Sequence, residues 1–142
     1  MDLPAPRRMR LSDAEVARFH ADGLLIPDYR LPDAWLARMR AEVDRLLALN
    51  PNMRPEALSG AHNPWGQSAL TIGTQAFLDL CRFDEILDMV EQLIGPDIVL
   101  WGSQLFCKPA GDGQAVPWHQ DGQYWPLDPL ATVTVRIAFD GS

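Results

Sequence analysis

Polar and apolar positions in the first two-thirds of the chain repeat at helical spacing. In LSDAEVARFHADG, Ser12 stands ahead of the periodic run and Glu15 follows three residues later, which is the spacing of a capping box. Leu11 and Val16 are placed as a hydrophobic staple, and Gly23 suits a left-handed helix stop. LLIP follows as a short apolar run of strand character. A second helix is predicted from Pro32 to about Leu49, where Pro51 forbids continuation. Its buried stripe is Trp35, Met39, Val43, Leu46 and Leu47, and its wet face is Arg38, Arg40, Glu42, Asp44 and Arg45. NPNMRPEALSGAHNPWGQS, rich in Asn, Pro, Gly and Ser, reads as a long irregular loop of the kind that carries function. A third helical region, FDEILDMVEQLIG, is stopped by Gly95 and Pro96.

Beyond Asp97 the period changes from helical to alternating. IVLWGSQLFCK predicts a strand on which Leu100, Gly102, Gln104, Phe106 and Lys108 share one face. PAGDGQA is a turn, VPWHQD leads into a second short strand, and ATVTVRIAF is a third. In the third, Val133, Val135, Ile137 and Phe139 alternate with Thr132, Thr134, Arg136 and Ala138. The expectation is one α+β domain over residues 1–142, helical over 11–95 and β over 98–140. A hydrophobic strand ending three residues before the chain does would leave an exposed sheet edge, so the sequence reads as the front part of something longer.

Composition narrows the class. With 142 residues, 47% apolar and 22% charged, the chain is of ordinary globular make-up and long enough for a real core. A formal charge of −7 argues against nucleic acid or an anionic membrane as partner. Arg7, Arg8 and Arg10 read as a solvated N-terminal arm. Cys81 and Cys107 are too few for a disulfide framework and lack zinc spacing, so they read as buried free thiols. With no signal-peptide pattern and no run of membrane-spanning length, the expected location is the cytoplasm.

The chemistry concentrates in VPWHQDGQYWPLDP. In an extended chain, residues two apart point to the same side, so His119 and Asp121 can reach one metal ion while Gln120 faces away. An imidazole and a monodentate carboxylate, joined by a second imidazole, make the facial triad of non-haem Fe(II) oxygenases, which leaves three positions open. The competing reading is a histidine hydrogen-bonded to an aspartate in a structural turn. The setting favours the metal pair: a strand and a Gly-rich turn precede it, and Trp118, Tyr124 and Trp125 bracket it.

In these residues the chain resembles the phytanoyl-CoA dioxygenase-like family of Fe(II)/2-oxoglutarate-dependent oxygenases. AEVARFHADGLLIP is similar to the family's opening helix and strand, and LPDAWLARMRAEVDRLL to its second helix. LFCKPAGDGQAVPWHQDGQYWPLDP is similar to its block around the metal, and VTVRIAFD to the strand after it. The resemblance spans most of residues 11–140. It implies a double-stranded β-helix (jelly-roll) core, here incomplete, with the helices packed outside. It also implies Fe(II) and 2-oxoglutarate as cofactors. His119 and Asp121 match the first two iron ligands. Gln104 falls where the family contacts 2-oxoglutarate, and its amide can donate to the cosubstrate's oxygens. Gln120 lies between the ligands, so its backbone passes close to the cofactor. Tyr124 and Trp125 wall the substrate side or serve as ordinary core aromatics. Arg136 stands where the family often has tryptophan, and on a pocket face its guanidinium could pair with a carboxylate. No residue in this stretch is assigned as a catalytic acid or base. The family's second iron histidine and the arginine that clamps 2-oxoglutarate come downstream of residue 142, and His20 and His62 are poor substitutes.

The resemblance implies hydroxylation of an aliphatic carbon on a small metabolite or acyl thioester. The carboxylate Asp121, where related halogenases have a small residue, fits hydroxylation. The alternative is a catalytically inactive, truncated jelly-roll module that binds a ligand or partner. Iron-dependent turnover of 2-oxoglutarate separates the two. A cupin-type isomerase shares the fold but would draw more histidines from this region.

Overall fold

A computed structural model describes residues 9–68 and 71–140, so Arg7 and Arg8 of the N-terminal arm lie outside the described residues, while Arg10 is exposed. Helix α1 (Asp13–Asp22) opens on the predicted capping box. The Glu15 N–H donates to Ser12 Oγ at 3.3 Å, and the Ser12 N–H donates to the Glu15 carboxylate at 2.8 Å. Gly23 takes the left-handed conformation that ends it. Just ahead of α1, the chain is pinned to helix α4 (Asp84–Ile94): the Met9 and Leu11 N–H groups donate to Asp88 and Gln92 at 2.9 and 3.0 Å.

Helix α2 (Asp33–Leu49) buries Trp35, Met39 and Leu46, with Val43 and Leu47 half-buried beside them. Against this stripe pack Phe83, Ile86 and Val90 from the α4 side, Ala76, Phe77 and Leu80, and Leu58 and Leu105. The Trp35 and Phe83 rings meet at 4.9 Å, and Arg38 lies over the Trp35 ring while pairing with Asp79 at 2.6 Å. Buried Asn50 closes the end of α2. Its amide donates to the Leu46 and Ile72 carbonyls at 2.8 and 3.0 Å, and its oxygen accepts the Ile72 N–H at 2.7 Å.

Strand pairing is sparse among the described residues. β1 (Leu58–Ser59) pairs antiparallel with β4 (Gln104–Leu105), and β2 (Gln67–Ser68) with β3 (Thr71–Ile72). Within the expected loop, a 3-10 turn at Pro55–Ala57 leads into β1. Helix α3 (Gln75–Cys81), which the hydrophobic pattern did not predict, follows β3. It is seven residues long and buries Ala76, Phe77, Leu78 and Leu80, with Gln75 and Asp79 alone on its polar side, so two turns are too few to reveal a helical period. The thiols of Cys81 and Cys107 are free and half-buried, and burial pushes the Cys81 pKa up.

The β region expected over 98–140 is reduced to Gln104–Leu105 among the described residues. The alternation is kept only in part, since Val99, Trp101 and Val135 are exposed on the side that Leu105, Val133 and Ile137 bury. Leu105 is buried while Leu100, Gln104 and Phe106 are exposed, and Val133, Ile137 and Phe139 pack on the core while Thr134, Arg136 and Ala138 face out. A ladder requires a neighbouring strand, and the stretch around Val133–Phe139 meets helices instead. The Phe77 and Phe139 rings lie 6.4 Å apart, and Arg40 donates to the Phe139 carbonyl at 2.7 Å. No helix among the described residues is long and apolar enough to cross a membrane.

Gly73 locks the central loop to the body. A Cβ there would lie 2.5 Å from the Asn63 carbonyl oxygen and 2.6 Å from that of Ala61, and the neighbouring Thr74 N–H donates to Ala61 at 2.9 Å. Gly73→Ala is therefore expected to cost about 1–3 kcal/mol in chemical denaturation, the range for forced overpacking. Gly66→Ala, with open space around the added carbon, should cost well under that.

Candidate metal and cosubstrate site

The segment carrying His119 and Asp121 is an excursion from the body. Gln120 between them is extended (φ −117°, ψ 120°), so the two side chains emerge on the same side, as expected of a strand, although no ladder forms here among the described residues. Asp121 then opens a 3-10 turn over Asp121–Gln123, and the Tyr124 N–H donates back to the Asp121 carbonyl at 2.9 Å. This turn brings the Tyr124 ring edge-on to His119, with centroids 6.5 Å apart. Gly122 permits the turn's close packing: a Cβ there would lie 2.5 Å from a methyl of Leu130.

His119 Nδ1 lies 2.8 Å from the Pro117 carbonyl oxygen, and Nε2 lies 3.1 Å from Asp121 Oδ1. A carbonyl oxygen only accepts, so Nδ1 carries a proton. Nε2 then faces the carboxylate with its lone pair unless a cation stands there. Donation to Pro117 raises the His119 pKa above its usual value, and the Asp121 carboxylate adds to this, so a proton is one such cation. A divalent metal is the other. Two donors each about 2.1 Å from a common ion and at right angles stand ~3 Å apart. A ligating histidine also characteristically donates its other N–H to a carbonyl or carboxylate. On geometry and donor chemistry, the pair fits two positions of a divalent metal site.

Of the other candidate residues Tyr124 lies against the pair, while no hydrogen bond, ion pair or ring contact among the described residues joins Gln104, Trp125 or Arg136 to it. Gln104 is exposed on β4, directly opposite Ser59 in β1, on the face away from buried Leu58 and Leu105. Gln120 and Arg136 are exposed, Tyr124 is exposed beside His119, and Trp125 is half-buried. A shallow hollow of about 340 Å³ is lined by Val116, Pro117, Trp118 and His119. The other histidines are elsewhere: His20 is exposed on α1, and His62 Nδ1 is hydrogen-bonded to Ser103 Oγ at 2.8 Å, with burial lowering its pKa. No group of three His, Cys, Asp or Glu side chains suited to a metal occurs among the described residues.

A pair that the sequence did not single out ties down the approach to this segment. Arg54 forks onto the Glu56 carboxylate at 3.0 and 3.3 Å and donates to the Asp112 carbonyl at 3.1 Å. Glu56 in turn accepts the Gln114 N–H at 3.2 Å.

The chain belongs to the phytanoyl-CoA dioxygenase (PhyH) family, whose model matches residues 19–142. Among curated proteins it is similar to the L-proline trans-4-hydroxylase of Streptomyces griseoviridis, 29% identical over 131 residues. That match covers 88% of this chain and 44% of the relative, so the chain spans less than half of the relative's length. No solved structure matches it.

The Glu56 carboxyl is pushed down to about 2, chiefly by the hydrogen bond from Arg54. A carboxyl depressed in the folded state contributes stability that is present above its usual value, near 4.5, and lost as pH falls through about 2. The Gln114 amide resonance should therefore hold still between neutrality and about pH 4 and titrate below that. An inflection near the ordinary carboxyl value would show that the Arg54–Glu56–Gln114 contact is absent in solution.

Proposed function

We propose that the protein acts as an Fe(II)/2-oxoglutarate-dependent hydroxylase on an aliphatic carbon of a small substrate. The observation that carries this reading is the His119–Asp121 pair, with one ring nitrogen committed to Pro117 and the other facing a carboxylate oxygen at 3.1 Å. Membership of the PhyH family and the likeness to a proline hydroxylase support the same chemistry. His119 Nε2 and Asp121 Oδ1 would hold the iron, and a further ligand would complete the triad. Fe(II) bound there supplies dioxygen activation, so that 2-oxoglutarate, dioxygen and substrate give succinate, carbon dioxide and the hydroxylated product.

The chain's own residues take supporting parts. The Gln104 amide donates to the cosubstrate. The Gln120 backbone passes beside it and keeps the two ligands on one side. Tyr124 and Trp125 wall the substrate side and shed water from it, and Arg136 offers a guanidinium to a carboxylate. A small molecule bearing a carboxylate, such as an amino acid, suits that guanidinium, and the likeness to a proline hydroxylase supports the choice. An acyl thioester is the other class considered. The exposed face of Leu100, Gln104 and Phe106 and the outward face of Thr134, Arg136 and Ala138 would line a jelly-roll interior in the assembled β-helix. We place the protein in the cytoplasm, acting on a small-molecule substrate, and its net charge of −7 disfavours nucleic acid or an anionic membrane as partner.

A second reading, an inactive ligand-binding module, has one observation in its favour: two metal donors rather than three among the described residues. Succinate release from 2-oxoglutarate by the protein supplied with Fe(II), ascorbate and candidate amino acids decides between them. The hydroxylase reading expects turnover that falls about 100-fold or more in Asp121→Ala, beyond the usual cost of losing an outer-shell partner. Turnover-free protein with an intact site would favour the module.

A further inference from the structure

We infer that Arg54 and Glu56 form a positioning pair that sets where His119 and Asp121 stand, an inference that rests on the metal reading above. Between Gln114 and Val133, no hydrogen bond among the described residues ties the chain to the helical body. The excursion that carries the two ligands is therefore held at its ends. At the far end, Val133, Ile137 and Phe139 pack on the core, and Arg40 holds the Phe139 carbonyl. At the near end stands the Arg54–Glu56 clamp. Glu56 takes the Gln114 N–H, five residues before His119, and Arg54 takes the Asp112 carbonyl.

The clamp is itself anchored. Arg54 and Glu56 flank Pro55, which opens the 3-10 turn leading into β1, and the Pro55 carbonyl accepts the Cys107 N–H at 3.3 Å. β1 then pairs with β4, which carries Gln104. One short segment, Arg54–Ser59, thus contacts both the strand assigned to the cosubstrate and the turn that launches the metal pair. A fork of two charge-assisted bonds fixes direction as well as distance, which suits a part that must set a register. Glu56 is largely shielded, with 10% of its side chain exposed, whereas Arg54 remains 46% exposed, so either can be replaced without opening the core.

Co(II) titration of the purified protein tests this, followed by calorimetry beside hydrogen exchange of the Gln114 amide. Glu56→Gln is expected to weaken Co(II) binding on the order of tenfold, the low end of what a metal site loses with an outer supporting partner. It should also speed exchange at Gln114 while leaving the α2 and α4 amides protected. Arg54→Lys, which keeps the charge and loses the fork, should weaken binding by a smaller factor. Because the two residues act as one unit, Arg54→Gln combined with Glu56→Gln should weaken it no further than Glu56→Gln alone. Asp121→Ala serves as the site control. Co(II) binding that depends on Asp121 but is unchanged in Glu56→Gln and Arg54→Lys overturns the clamp alone. Co(II) binding that is absent, or indifferent to Asp121→Ala, overturns the metal reading and the clamp with it.

Discussion

Two acceptors held 3.1 Å apart need a cation between them. His119 gives its Nδ1 proton to a carbonyl, so Nε2 and the Asp121 carboxylate meet lone pair to negative charge. The Pro117 hydrogen bond and the Asp121 carboxylate raise the histidine pKa, so a proton relieves this, and a divalent metal relieves it in the same place. The rest of the local structure serves this juxtaposition. Pro117 supplies the carbonyl that selects the tautomer, extended Gln120 puts both donors on one side, and the Gly122 turn brings Tyr124 edge-on to the imidazole. If the ring turned over, the metal-facing nitrogen would be lost without any change in the backbone.

The helical body holds this arrangement from a distance. Its core, around Met39, Leu46 and Leu58, anchors α2 and β1, and β1 orients β4 and Gln104 through the Ser59–Gln104 register. The alternation holds over residues 102–108 and again at Val133, Ile137 and Phe139, while Val99, Trp101 and Val135 depart from it and are exposed. The outward face of β4 and its flanks bears apolar Leu100 and Phe106 beside polar Gln104, and Thr134, Arg136 and Ala138 face out on the later stretch.

Much of the α-helical framework was legible because its signals are local. The Ser12–Glu15 box, the Trp35–Leu46 stripe and the Gly95 stop each occupy a few consecutive turns. α3 was not legible, since a helix of two turns with only Gln75 and Asp79 on its polar side is too short to show an amphipathic period. The strands were overestimated for a different reason. Alternation reports which face is buried, but a ladder also needs a partner, and the residues near Val133–Phe139 meet helices instead. In the candidate site, His119 and Asp121 were legible from a spacing of two residues. The Arg54–Glu56 clamp was not, because its partners at Asp112 and Gln114 lie 58 residues away in each case, and an Arg and a Glu around a proline look like an ordinary wet turn.

The protonation state of the His119 ring tests the account most directly. Long-range proton–nitrogen correlation spectra of labelled protein, recorded with and without diamagnetic Zn(II), report which nitrogen bears a proton and which responds to metal. The account predicts Nδ1–H throughout, with Nε2 bearing no proton and shifting as Zn(II) binds, and no such shift in Asp121→Ala. A neutral Nε2–H tautomer, with Nε2 unmoved by Zn(II), would contradict it.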